Sequence, residues 1–188
     1  AGLVQQVKSG LGSVDILVNN GVSFNVGTLT DDDWLHHFNV KVHGYRRAME
    51  AVLPGMIEVG WGRVINVAGL AARASIMGQA INGSTAGATN AAIVNISKGV
   101  SDAVAKSGVT VNVVHPGATD TDRHAINMRR TQEVRGISHE EAEAATVAGI
   151  PIGRMIQPEE VAAMITFYCS QQASAITGPT LGVAGGAV

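Results

Sequence analysis

Short apolar runs alternate along this chain with longer segments in which apolar and polar residues are mixed. Residues 14–20 (VDILVNN), 62–69 (GRVINVAG) and 109–117 (VTVNVVHPG) are almost wholly apolar, and each ends at an asparagine or a glycine. A strand that is buried on both faces has this pattern, so the three runs predict parallel strands inside a sheet. Residues 175–183 (AITGPTLGV) predict a final strand.

The mixed segment after the first strand carries the signal of a helix start. Thr30, followed three residues later by Asp33, has the form of a capping box, and it predicts a helix that continues to about Leu53. The polar residues His36 and His37 are expected on the more exposed side of this helix.

Later segments carry similar signals. Residues 86–106 repeat apolar residues at helical spacing, which predicts a second long helix. Ser138 with Glu141 is another capping-box pattern, and Pro158 suits the first turn of the last helix. Apart from the helix that starts near Ser138, residues 122–149 read as a loop.

The order of these elements indicates the class of fold. Strands alternate with helices, and right-handed crossovers turn such an alternation into a parallel sheet with helices on both faces. The sequence has no internal repeat, low-complexity tract or linker. We therefore predict an α/β protein with a doubly wound parallel sheet in three α/β/α layers, and a single domain over residues 1–188.

Composition and charge exclude several classes of partner. The 188 residues carry a net charge of −2, and 46% are hydrophobic, which suits one globular domain and not a disordered chain. This balance gives no basic surface for nucleic acid or an anionic membrane, and no apolar run reaches the ~18 residues that span a bilayer. The single cysteine, Cys169, cannot form an internal disulfide, which favours a cytoplasmic location.

Five stretches, taken together, resemble the short-chain dehydrogenase/reductase family. They are DILVNNGV, FNVKVHG, GRVINVAG, VTVNVVHPGATDTDR and residues 150–186, in the order and spacing of the family. The resemblance implies a Rossmann-like fold and an NAD(P)-dependent oxidoreductase that acts on the carbonyl/alcohol pair of a small-molecule substrate. It also implies a homodimer or homotetramer, which we expect to form through the helices at residues 30–53 and 86–106.

The beginning of the chain departs from the family pattern. Members usually begin with a strand and a glycine-rich turn, Gly-x-x-x-Gly-x-Gly, that binds the cofactor pyrophosphate. This chain starts just before the family's fourth strand, so it is either a fragment or a protein that lacks half of a dinucleotide site. We expect a partial Rossmann-like domain without the first strands, and NAD and NADP stay equally open. The strand at residues 14–20 is then expected to be an exposed apolar edge that invites pairing with another chain.

The catalytic positions depart from the pattern as well. In the family a tyrosine passes the proton, a lysine four residues later binds the ribose and lowers the pKa of that tyrosine, and a serine holds the substrate oxygen. The resemblance places Ala86, Asn90 and Gly69 at these positions, and of the catalytic set it retains Asn39. Alanine has no ionisable proton and asparagine has no charge, so we expect altered or weakened catalysis.

The resemblance also implies a set of cofactor-binding residues. Thr119 and Thr121 would bond to the carboxamide and phosphate region, although a plain turn with helix-capping threonines explains the same residues. The asparagines and the glycine after the first strand would flank the adenosine ribose, and the amide at position 90 is able to bond a ribose hydroxyl. The full set is Asn19, Asn20, Gly21, Asn90, Pro116, Gly117, Thr119 and Thr121. The histidines show no metal-ligand spacing.

Other residues are candidates for the missing proton donor. Histidine is the natural acid near neutral pH, and His115 lies near the expected site. The hydroxyls of Ser84 and Thr85 would orient a substrate more readily than protonate it, and a loop or N-cap role is simpler for both. Two hypotheses remain: a short-chain oxidoreductase with altered catalysis, and a non-catalytic relative that keeps the fold for binding or scaffolding.

Overall fold

Four strands form one parallel sheet in the part of the chain that the structure describes. This computed structural model describes residues 2–23, 29–73 and 84–187. The strands lie in the order β1 (Ile16–Asn19), β2 (Gly62–Val67), β3 (Val109–Pro116) and β4 (Thr180–Val183), and neighbouring strands are parallel. The predicted strands are therefore confirmed.

Helices connect the strands and cover the sheet. Those that the structure describes are α1 (Gly2–Leu11), α2 (Asp31–His37), α3 (Gly44–Val59), α4 (Ala86–Val104), α5 (Asp122–Arg135), α6 (His139–Val147) and α7 (Pro158–Cys169). A short π-helical segment, Phe38–His43, joins α2 to α3, and we refer to it as the π-turn.

Both faces of the two central strands, β2 and β3, are buried. On one face, α3 and the end of α4 pack on β2 and β3 through Met49, Val52, Met56, Val64, Val104, Val109 and Val111. On the other face, α7 packs on the same two strands through Ile65, Val114, Ile156, Val161, Tyr168 and Ala173. Val64 and Ile65 are neighbours in β2 yet belong to opposite clusters, because successive side chains of a strand point to opposite faces. The three-layer α/β/α arrangement is confirmed.

The helix starts follow the capping patterns in the sequence. The hydroxyl of Thr30 accepts a hydrogen bond from the N–H of Asp33 at 3.2 Å, and the Asp33 carboxylate accepts one from the N–H of Thr30 at 2.9 Å. Ser138 and Glu141 form the same reciprocal pair. Pro158 is the first residue of α7. All three predicted helix starts are confirmed.

The helix predicted from Thr30 to Leu53 differs from the structure. It is interrupted by the π-turn, and it continues as α3 to Val59, where Gly60 ends it with a positive φ of 76°. The expected exposure of His37 was wrong, since its side chain is 3% exposed. The ring is buried because it packs on the start of α4, a contact that the pattern of one helix alone does not reveal.

Residues 122–135 form α5, where the sequence indicated a loop. Thr121 is its N-cap, and the hydroxyl accepts a hydrogen bond from the N–H of His124 at 3.4 Å. Met128 is buried at 5% exposure, but the segment has too few apolar residues to show a helical period. This helix was therefore missed.

β1 lies at one edge of the described sheet and pairs with β2 alone there. Its Ile16 and Val18 are 43% and 42% exposed, in agreement with the expected apolar edge. Among the described helices, none combines the length and the apolarity that crossing a membrane requires.

Candidate active site

A cavity of about 430 Å³ opens at the edge of the sheet where β1, β2 and β3 end. Parallel strands bring their carboxyl ends to the same edge, which is where open α/β sheets bind ligands. The ends of these strands, the π-turn and the first turns of α4 and α5 form its walls, and we call it the edge pocket. The polar residues that line it are Asn20, Ser23, His37, Lys41, Ser84, Thr85, Thr89, Asn90, Thr119, Thr121, Arg123 and His124.

The turn after β3 forms one wall of the edge pocket. Pro116 has no N–H for a further ladder bond, so the strand ends there. Gly117 donates its N–H to the carbonyl of Val183 at 3.0 Å, and a β-carbon at position 117 would lie 2.8 Å from the α-carbon of Ala184. Glycine is required because this turn touches the end of β4. The contact fixes Thr119 in the wall.

Asn90 and Gly69 occupy one crowded place beside the pocket. A β-carbon at position 69 would lie 2.8 Å from Nδ2 of Asn90, so a side chain at this position would require the asparagine amide to move. Oδ1 of Asn90 is buried and has no hydrogen-bond partner among the described residues. A buried acceptor without a partner is costly, and a ligand hydroxyl would satisfy it.

Lys41 brings a positive charge into the pocket from the π-turn. Its side chain is 6% exposed, and Nζ lies 3.5 Å from the carbonyl oxygen of Ala68 and 5.9 Å from the centre of the Tyr45 ring. The described residues that line the pocket include no aspartate or glutamate. Burial, and then the charge of Arg123, lowers the pKa of Lys41 to about 8.

His37 lies in another part of the wall. Its Nδ1 is 2.9 Å from the hydroxyl of Thr85, and its buried Nε2 has no partner among the described residues. Burial lowers the pKa of this ring and His36 lowers it further, whereas Asp33 raises it. The ring is therefore mainly neutral at pH 7.

His115, a candidate for the missing acid, is not among the residues that line the pocket. The side chain is 0% exposed, and Nδ1 lies 2.8 Å from the carbonyl oxygen and 3.2 Å from the backbone nitrogen of Gly69. Burial is the main cause that lowers its pKa. In this position His115 holds the turn after β2 in place.

Asn39 does not line the edge pocket either. Its side chain is exposed, and Oδ1 accepts hydrogen bonds from both terminal nitrogens of Arg47 at 3.1 Å. The π-turn carries Lys41, two residues later, into the pocket instead. A catalytic role for Asn39 stays a prediction, and this side-chain position gives it no support.

Six of the eight expected cofactor-binding residues meet at the edge pocket: Asn20, Asn90, Pro116, Gly117, Thr119 and Thr121. Asn19 is instead buried and donates from Nδ2 to Oδ1 of Asn66 at 2.8 Å, which ties β1 to β2. Gly21 is exposed and does not line the cavity.

The two threonines also have structural roles. The hydroxyl of Thr119 donates to the carbonyl of Gly117 at 3.0 Å, and Thr121 caps α5. Both residues nevertheless line the cavity. Binding of a cofactor by these residues stays a prediction.

Lys41 and His37 are two of the pocket residues that the sequence reasoning missed, and Ser23, Thr89, Arg123 and His124 are others. A signal for Lys41 was present, since a lysine between Val40 and Val42 has apolar neighbours on both sides. Its direction depends on the π-turn, which no sequence pattern showed. Within the described residues, no three His, Cys, Asp or Glu side chains gather closely enough to hold a metal ion.

Comparisons with known proteins give a consistent result. The family described as enoyl-(acyl carrier protein) reductase matches residues 1–188. The 3-oxoacyl-[acyl-carrier-protein] reductase FabG of Vibrio harveyi is 35% identical, with 93% of this chain and 67% of the relative covered. The NADPH-dependent reductase BacG of Bacillus subtilis is 31% identical, with 100% of this chain and 72% of the relative covered.

Solved structures also resemble this chain. A variant of actinorhodin polyketide ketoreductase, crystallised with NADPH, has a TM-score of 0.90 and 33% identity, with 98% of this chain and 71% of that chain covered. YwfH, an NADPH-dependent reductase involved in bacilysin biosynthesis, has a TM-score of 0.86 and 30% identity, with 100% and 72% covered.

Proposed function

Because the chain belongs to the short-chain dehydrogenase/reductase family, we propose that its edge pocket reduces a small ketone with a nicotinamide cofactor and with altered catalysis. NADPH is the cofactor proposed here, since relatives and a solved neighbour are described with it. A 3-oxoacyl thioester is the substrate class that the name of the FabG relative supports.

The observation that carries this proposal is the unpartnered Oδ1 of Asn90 in a pocket at the carboxyl edge of the sheet. The residues present fit a nicotinamide nucleotide: Oδ1 is an acceptor for a ribose hydroxyl, and the corner of Pro116, Gly117 and Thr119 stands in the same cavity. When bound, the cofactor supplies a hydride to the carbonyl carbon. The pocket residues bind the ribose, orient the ketone and provide the proton.

Weakened catalysis follows from the residues at the family's catalytic positions. Ala86 has no proton to give, and a general acid typically contributes ~10²–10⁴-fold to the rate. Asn90 binds without charge, so it would not lower the pKa of a neighbouring acid as a lysine does. We therefore propose a slower reaction than in relatives with a tyrosine and a lysine.

The second candidate function is a binding or scaffolding protein that keeps the fold without the reaction. The crowding between Asn90 and Gly69 favours it, because the position that the family resemblance assigns to the serine has no side chain to hold the substrate oxygen and the Asn90 amide lies close to it. Cofactor binding without turnover would support this alternative. Both candidate functions predict that the cofactor binds, and only the first predicts turnover.

Titration of the purified protein with NADPH and with NADH, followed by nucleotide fluorescence, tests the proposal. We expect saturable NADPH binding, weakened by Asn90→Leu, which removes the amide at similar volume. Asn95→Leu, at an exposed position of the same helix, is the matched control. Consumption of NADPH with acetoacetyl-N-acetylcysteamine measures turnover; absence of binding by either nucleotide would contradict the proposal.

A further inference from the structure

We propose that Lys41 is a catalytic residue of the edge pocket, and that its ammonium gives the substrate oxygen the proton that position 86 no longer provides. The inference rests on the proposed function, ketone reduction in this pocket. It places the proton donor on the π-turn and not on α4. The position of this side chain, its available N–H donors and its electrostatic surroundings all suit that role.

Lys41 reaches the turn that follows β2. Nζ lies 3.5 Å from the carbonyl oxygen of Ala68, the residue before Gly69. Asn90 reaches the same turn, since its Nδ2 stands 2.8 Å from the place of a β-carbon at Gly69. The ammonium and the amide thus approach one turn of the wall, and this turn is where the family's serine holds the substrate oxygen.

The ammonium has donors available for a ligand. Lysine carries three N–H bonds and no acceptor. Among the described residues, its one hydrogen-bond acceptor is the carbonyl of Ala68, at a long distance. No described carboxylate forms an ion pair with Lys41. A carbonyl oxygen in the edge pocket would therefore find an N–H donor.

The groups around Lys41 are cationic or neutral. Arg123 faces it from α5, His115 from β3, and the ring of Tyr45 from the start of α3. Burial and the charge of Arg123 lower the pKa of Lys41 to about 8. An acid is most effective when its pKa lies near the working pH, and Lys41 meets that condition.

Other donors in the wall suit the role less well. His37 is mainly neutral, and a neutral imidazole is a very weak acid. Arg123 carries a guanidinium, which does not release its proton in proteins. The hydroxyl of Thr85 is engaged with His37, and an unperturbed hydroxyl is a far weaker acid than the ammonium.

The proposed step is balanced. A bond forms between the carbonyl oxygen and a proton of Lys41 as the N–H bond breaks, while the hydride from the reduced nicotinamide adds to the carbonyl carbon. The products are the alcohol, the oxidised nicotinamide and a neutral lysine amine. That amine takes a proton back from solvent before the next turnover.

The kinetic test replaces Lys41 by arginine, which keeps the charge but does not give up a proton. With NADPH and acetoacetyl-N-acetylcysteamine, Lys41→Arg should lower kcat by ~10²-fold or more, with little change in KM. The wild-type rate should fall as pH rises through about 8, and the variant should lose this dependence. Lys106→Arg, at an exposed site, is the control.

A second measurement does not depend on turnover. Lysines are dimethylated with ¹³C-formaldehyde, and the NMR signal missing from Lys41→Arg is assigned to Lys41 and titrated. A midpoint near 8 that moves when acetoacetyl-N-acetylcysteamine is added supports the proposal. A midpoint above 10, or an unchanged rate in Lys41→Arg, would overturn the proposal. A pH dependence that is lost in His124→Gln and kept in Lys41→Arg would overturn it as well.

These outcomes separate the two proposals. NADPH-dependent reduction by both wild type and Lys41→Arg, with the same pH profile, overturns the role of Lys41 and leaves the proposed function intact. Absence of reduction in the wild type overturns both. Circular dichroism of each variant shows whether a lost rate reflects a lost fold, and Lys41→Gln then gives a second, uncharged replacement.

Discussion

Nδ2 of Asn90 lies 2.8 Å from the place of a β-carbon at residue 69, so the absence of a side chain at Gly69 leaves room for the Asn90 amide. By the family resemblance, these two positions correspond to a serine and a lysine. A lone return to serine at position 69 would meet the amide, and the pair therefore accounts for two departures from the pattern through one contact. The backbone of Gly69 is extended, with φ of 165°, and does not itself require glycine.

Gly69→Ala is expected to lower the free energy of unfolding by about 1 kcal/mol, because the new β-carbon displaces the Asn90 amide. The same change should cost less in an Asn90→Ala background, since residues in contact are not additive. Urea unfolding of the four proteins measures the difference. Equal costs in both backgrounds would show that the contact is not what restricts position 69.

Thr85→Val should destabilise the protein by about 1–3 kcal/mol, because it leaves Nδ1 of the buried His37 without its partner. The matched control is Thr110→Val. Thr110 is also buried, at 4% exposure, but its hydroxyl has no partner among the described residues. That change should be neutral or stabilising in thermal unfolding, and a similar loss for both variants would contradict the role of the Thr85 bond.

Lys41→Met should raise the free energy of unfolding at pH 7 by on the order of 3 kcal/mol, since each unit of pKa shift is worth about 1.4 kcal/mol. The pKa of Lys41 falls from 10.5 to about 8 on folding, so the unfolded chain binds the proton more tightly. Wild-type stability should rise between pH 8 and 10.5, and the advantage of the variant should shrink there.

Lys106→Met, at an exposed site, is the control for this prediction and should stay within about 0.5 kcal/mol of wild type. Urea unfolding at pH 7 and pH 10 provides the comparison. A destabilised Lys41→Met would mean that the ammonium has a stabilising partner.

Stability should fall as the solution is acidified below about pH 6.5. Burial lowers the pKa of His37 and of His115 from the ordinary value of 6.5, so the unfolded chain takes up protons that the folded protein does not. Each ring contributes a slope of at most about 1.4 kcal/mol per pH unit. His37→Gln should flatten the profile between pH 6.5 and 5 in urea unfolding, whereas the exposed variant His43→Gln should not.

A homodimer or homotetramer through α3 and α4 is expected at micromolar concentration. Ala91 is exposed on α4, and small residues there permit close approach of a second helix. Ala91→Glu should shift the sedimentation coefficient toward the monomer, whereas Ala145→Glu on α6, also exposed, should not. A wild-type protein that sediments as a folded monomer would contradict the predicted assembly.

The sequence was sufficient to predict the strands of the sheet, because a strand that is buried on both faces is a nearly continuous run of apolar residues. The apolar runs that became β2 and β3 needed no information beyond their own residues. The capping pair of Ser138 and Glu141 was also predictable from residues close together in the sequence. α5 was missed for the opposite reason: its sequence has few apolar residues, and the buried Met128 alone does not establish a period.

The site was predictable where it depends on the strands. The place of the turn at Pro116 and Gly117 follows from the rule that parallel strands bring their carboxyl ends to one edge, whereas Thr119 was expected from the family resemblance. The opposite wall was not predictable, because His37 and Lys41 face the cavity through contacts with α4 and the turn after β2. Those contacts join residues that are far apart in the chain, and the helical periodicity of the sequence does not predict them.

The π-turn also has a consequence for how such chains should be compared. One residue corresponds to about 100° of rotation in an α-helix, since 3.6 residues complete a turn. Deleting a single residue from Phe38–His43 would therefore swing every side chain of α3 relative to α2 and present Met49, Val52 and Met56 to different neighbours. An alignment gap here signifies a repacked core as well as a remodelled cavity.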